Sequence, residues 1–165
     1  MMSKHSIVSI RRRRQMMYLF TGFLFLCALA IAFMPLGNMM KDETMLIMYC
    51  SGAGFWLGFV GTVFMALKIN HSRKTSYLFN ELFGNRKQLG LIYFFQNTEA
   101  LIVDVAMVIS LMGLIIAILY SANLKVIYVI IAVFVFSFGM HCMLNGMNYK
   151  YINYSKYVKE QKKDE

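Results

Sequence analysis

The chain has 165 residues, of which 59% are hydrophobic and 15% charged, and it carries a formal net charge of +9. Its mean hydropathy is +0.55, whereas soluble domains hold roughly 45–50% apolar and about 25% charged residues. This composition excludes a water-soluble globule and points to a single all-α membrane domain over residues 1–165. The apolar residues fall into four runs, each long enough as a helix rising about 1.5 Å per residue to cross a hydrocarbon core of roughly 30 Å. The predicted spans are 16–37, 45–67, 99–121 and 125–147, with a loop at 68–98 and a tail at 148–165.

At the N-terminus Lys4 and Arg11 to Arg14 precede span 1. A run of four arginines can mark a nucleic-acid patch, but abutting an apolar helix it reads as a topology anchor, so no nucleic-acid partner is expected. The same region has the layout of a cleavable signal peptide, with small-x-small sites at Ala28-Leu29-Ala30 and Ala30-Ile31-Ala32. The apolar run nevertheless continues to Pro35 and Leu36, which favours an uncleaved anchor.

Span 2 places Ser51, Gly54, Gly58 and Gly61 at spacings of three, four and three, one stripe along a helix. Small residues in such a stripe let two helix backbones approach closely in lipid. Packing within the bundle is the expectation, with homodimerisation as the alternative. In the loop, Leu78, Phe79, Leu82 and Phe83 share one face of a short amphipathic helix before Gly84-Asn85 breaks it. Flanked by Arg73, Lys74, Arg86 and Lys87, this helix is expected in the headgroup plane, or docked on a partner through the same face. Tyr93, Phe94 and Phe95 then read as an interfacial aromatic belt, with Gln96 and Asn97 at the boundary.

Span 3 contains Asp104 and span 4 contains His141. A charge at mid-membrane costs at least about 2.5–3.5 kcal/mol, which makes each a candidate site residue. Both lie roughly 9 Å from the same membrane face, by the helical rise. Thr21 and Thr62 fall near that level and complete a predicted intramembrane polar layer. The expectation is an Asp104–His141 contact that locks span 3 on span 4; a proton-responsive or substrate-contacting pair, or no contact, are the alternatives. Span 3 also carries a weaker small-residue stripe in Ser110, Gly113 and Ala117. The tail beyond span 4 alternates tyrosine and lysine, as an interface does.

Fifteen of the 17 lysines and arginines lie before span 1, in the 68–98 loop or in the tail, and only Lys41 and Lys125 lie on the other side. The positive-inside rule then predicts a four-helix bundle with both termini in the cytoplasm, attracted to anionic lipid headgroups. Cys27, Cys50 and Cys142 sit singly in three spans, and His5, His71 and His141 are scattered, so neither a disulfide nor a metal site is expected. No cofactor or catalytic motif is present, and an enzyme is not expected. The functional expectation is recognition of another membrane or membrane-targeted protein, as by an immunity or exclusion protein or an accessory subunit of a secretion or transport complex. The alternatives are a small proton- or cation-coupled transporter using Asp104 and His141, and a holin-like pore former. The strict charge asymmetry suggests a bacterial inner membrane.

Overall fold

The computed structural model describes residues 4–36, 44–83 and 90–153. Among the described residues six helices follow in order: α1 (Lys4–Phe33), α2 (Thr44–Lys74), α3 (Tyr77–Phe83), α4 (Thr98–Leu119), α5 (Leu124–Leu144) and α6 (Met147–Ile152), with short 3₁₀ turns at Met34–Leu36 and Gly90–Ile92. No strand occurs among the described residues. Among the described residues, four segments, Arg11–Phe33, Leu46–Lys74, Thr98–Leu119 and Leu124–Leu144, are long and apolar enough to cross a membrane.

Two helices outrun their apolar segments. α1 begins at Lys4 and α2 continues to Lys74, well beyond the predicted bounds of 16 and 67. Hydropathy marks where a helix prefers lipid, while the helix itself ends only where its backbone is capped or broken. α2 stops where the Thr75 amide and hydroxyl both bond His71 O, at 3.1 Å each, and Asn80 Nδ2 caps Lys74 O at 2.8 Å. α5 ends earlier than expected, at Leu144. Gly146 has φ 83°, a left-handed conformation that suits a residue without Cβ, and the chain turns there into α6.

The helices pack in the row α2, α1, α5, α4, the main contacts falling between neighbours in that row. α1 is therefore the central helix, and its buried residues Met16, Phe20, Leu24, Cys27 and Ile31 recur at helical spacing. Met16, Phe20 and Leu24 meet Met65 and Ile69 of α2 and Met140, Met143 and Leu144 of α5 in one core cluster. Cys27, Ala28 and Ile31 meet Ala132 in a second. At the two ends of the row, α2 exposes Trp56 and Phe64, and α4 exposes Ile102 and Ile109. Such surfaces are hydrophobic in an aqueous fold but ordinary against lipid.

The small-residue stripe of α2 lies on α1 of the same chain. A Cβ on Gly58 would fall 2.5 Å from Cys27 N and 2.8 Å from Phe23 O, so the two backbones are in direct contact there. A Cβ on Gly61 would strike the Phe23 ring, one on Gly54 would meet Ala30 Cβ at 3.5 Å, and Ser51 is buried. The weaker stripe on α4 is uneven: Ser110 and Ala117 are buried, while a Cβ on Gly113 would meet nothing within 4 Å.

Candidate intramembrane polar site

The α4–α5 hairpin sets the site. Asp104 lies fifteen residues before Leu119 at the end of α4, and His141 lies seventeen residues after Leu124 at the start of α5, so two antiparallel neighbours carry them to nearly the same height. His141 Nδ1 is 2.7 Å from Asp104 Oδ1, with the side chains 1% and 0% exposed. Asn145, one turn beyond His141, donates its amide to Asp104 Oδ1 at 3.1 Å and lies 3.3 Å from Oδ2. The backbone amide of Phe95 donates to Oδ2 at 2.7 Å. Both carboxylate oxygens are thus occupied, which is what a buried carboxylate requires.

The donor at Phe95 depends on an unusual backbone. Phe95 has φ 58°, which for a bulky residue persists only where surrounding contacts fix it. Those contacts come from a strap, residues 91–97, that folds back over the pair. Leu91 O lies 3.4 Å from His141 Nε2, and the Phe94 ring covers the imidazole with centroids 4.5 Å apart. Asn97 caps α4 by accepting from Ala100 N at 2.8 Å and donates to Leu144 O at 2.9 Å. Gln96 Oε1 accepts from Gly146 N at 2.8 Å. The strap is therefore sewn to the start of α4 and to the last turn of α5, whose free carbonyls need such partners.

Chemically, the 2.7 Å Nδ1–Oδ1 contact is a short hydrogen bond between the ring and the carboxyl group. Among the described residues, no group of three or more His, Cys, Asp or Glu could hold a metal ion. The arrangement can share a proton and join elements; it presents no positioned nucleophile.

No family model, curated protein or solved structure matches this chain.

The predicted layer of four residues divides. Asp104 and His141 meet, but Thr21 Oγ1 reaches Met140 Sδ at 3.7 Å and Thr62 Oγ1 bonds Gly58 O of its own helix at 2.7 Å. Depth along a helix fixes height and leaves the direction of the side chain open, and a threonine inside a helix readily bonds the carbonyl one turn back. Asn145, Gln96 and Asn97 take the places expected for the threonines. Two of these had a sequence signal: Asn97 is a good N-cap immediately before a long apolar helix, and Asn145 lies four residues from His141 on the same helix face.

A second polar junction lies at the same end of the bundle, around Tyr151 of α6. Its hydroxyl is 2.7 Å from Ser72 Oγ, its carbonyl accepts from Arg13 Nη1 at 3.3 Å, and the Arg13 guanidinium sits 4.3 Å from the ring centroid. Phe79 of α3 meets the ring edge-on at 5.4 Å and is fully buried against Met147 and Tyr151. Phe79 is thus not on an open partner-docking or headgroup face, contrary to expectation, because α6 covers it; Phe83 packs beside it at 4.8 Å. The side chains of Leu78 and Leu82 lie outside the described residues. Tyr151→Phe removes the Ser72 bond alone and is expected to cost about 1 kcal/mol. Faster tryptic cleavage after Arg73 and Lys74 reads out the loosened junction, and unchanged cleavage contradicts it.

Proposed function

We propose that this is a non-enzymatic integral membrane protein that acts by recognising another membrane-embedded or membrane-arriving protein. Immunity and exclusion proteins and accessory subunits of secretion or transport complexes are the functional class. The observation that carries this reading is the enclosure of Asp104, 0% exposed with both oxygens bonded, beside outer helices that are apolar and open. Only 17% of the apolar window of α2, and the same of α4, is buried inside the chain. The polar chemistry is turned inward to hold the fold, and what is offered outward is helix surface.

The reading includes a bacterial inner-membrane location, with the basic end in the cytoplasm. Arg11 to Arg14, Lys68, Arg73, Lys74 and Lys150 lie toward the end that carries α3 and α6, and Lys125 lies at the other. That distribution is what retention of Lys and Arg on the inner side produces. A homodimer through the α2 stripe is disfavoured, since α1 already occupies it.

Photoreactive residues at Trp56 and Phe64 of α2 and at Ile102 and Ile109 of α4, in native membranes, test the proposal. Crosslinks to one defined protein, confined to one of these faces, are expected; labelling of lipid alone at all four positions contradicts it. Transport is the competing reading, favoured by the direct contact of two ionisable side chains, Asp104 and His141, and by a strap whose Phe94 is 45% exposed. Reconstituted vesicles are expected to show no proton-coupled flux that depends on Asp104, and a flux abolished by Asp104→Asn would establish transport instead.

A further inference from the structure

The row-like packing leaves a furrow. α1 and α4 both pack on α5 rather than on each other, and between them runs a groove of about 590 Å³ whose floor includes Met140. Pockets for small ligands span roughly 300–1,000 Å³. The walls are apolar, with Met17 from α1 and Ile102 and Val103 from α4, and methionines adapt readily to irregular chains. Two opposite charges belong to the same lining: Arg14 on α1 and Glu99 in the first turn of α4. Both are exposed, and no ion pair engages either among the described residues.

Their level in the bundle is informative. Arg14 lies at the start of the apolar segment Arg11–Phe33, and Glu99 at the start of Thr98–Leu119. These are the heights at which a spanning helix meets the headgroups. Basic pockets between spanning helices bind lipid phosphates. A cation and a carboxylate at one mouth select further, because a purely anionic headgroup is opposed by Glu99. A headgroup with phosphate and ammonium meets both.

We propose that the α1–α4 groove is a binding site for a zwitterionic phospholipid with a primary ammonium, its phosphate on Arg14, its ammonium on Glu99 and an acyl chain along Met17, Val103 and Met140. A primary ammonium can donate hydrogen bonds to the Glu99 carboxylate, and the quaternary ammonium of a choline headgroup cannot. The site is independent of protein recognition, since it needs no partner.

Native mass spectrometry tests it on the full-length protein taken from vesicles with equal parts of phosphatidylethanolamine, phosphatidylglycerol and phosphatidylcholine. Retention of phosphatidylethanolamine about fivefold above the other two is expected, the effect of roughly one interfacial charge contact. Glu99→Gln is expected to abolish the preference, Arg14→Gln to lower retention of all three lipids, and Arg11→Gln to change nothing. Arg11, Arg14 and Glu99 are exposed, so all three variants are expected to keep the fold, checked by circular dichroism. Equal retention of the three lipids, or a preference that survives Glu99→Gln, overturns the proposal. So does a photoreactive residue at Ile102 that labels residues 154–165 or a second copy in place of lipid.

Discussion

Asp104→Ala is expected to destabilise the protein by about 3 kcal/mol, at the low end of the roughly 3–5 kcal/mol lost on breaking a buried pair. The change strips an acceptor from His141 Nδ1, Asn145 Nδ2 and the Phe95 amide at once. His141 is 1% exposed, so its ring cannot turn to solvent for a substitute. Single hydrogen bonds inside membranes are worth on average only about 0.6 kcal/mol, which keeps the expected loss from rising higher. Asn145 Nδ2 keeps His141 O as an acceptor, but His141 Nδ1 and the Phe95 amide lose the carboxylate together, and that joint loss outweighs the discount. Even so, about 3 kcal/mol is a large share of the roughly 5–15 kcal/mol that holds a typical domain. Asp104→Asn keeps the shape and one acceptor oxygen, so a smaller loss is expected. Unfolding in mixed micelles measures both, and a loss under about 1 kcal/mol for alanine contradicts the clasp.

Gly58→Leu is expected to exceed the roughly 1–3 kcal/mol of ordinary overpacking, and Gly58→Ala to fall within that range. The atoms that a Cβ would strike are Cys27 N, Cys27 Cα and Phe23 O, all backbone. A backbone cannot rotate aside as a side chain does, so α1 and α2 must separate along their whole seam. Gly61 is the informative contrast. The three atoms nearest its Cβ all belong to the Phe23 ring, which can swing, and Gly61→Ala is expected to cost less than Gly58→Ala. Gly22 and Gly52 have nothing within 4 Å, so alanine there is expected to be neutral. The same unfolding assay ranks the four alanine variants; a Gly58→Ala that behaves like Gly52→Ala contradicts close contact of the two helices.

Composition and apolar run length carry the four long helices, because each must present a lipid-compatible surface over about 20 residues whatever its neighbours. Where the helices end is not written there: α1 and α2 run on until Pro35 and the Thr75 cap interrupt them. The shared height of Asp104 and His141 is legible from antiparallel counting, but the direction of Thr21 and Thr62 is not. The strap is harder still, since its closure depends on a left-handed Phe95 that no local pattern announces. The run Arg11 to Arg14 makes the same point. Its four residues look equivalent in sequence, yet successive helical positions turn by about 100°, and only Arg13 swings inward, 9% exposed against Tyr151. That one inward arginine helps to fix α6, whose residues otherwise read as an open tyrosine–lysine tail.

The central claim is that Asp104 and His141 form a clasp within one chain, leaving function to the outer helix faces. A double-mutant cycle measures it most directly, from the unfolding free energies of the protein, Asp104→Asn, His141→Gln and the double variant. The account predicts that the double variant loses little more than the worse single variant, a coupling of about 1–2 kcal/mol for groups in direct contact. Losses that add to within about 0.3–0.5 kcal/mol, as independent sites do, would contradict it.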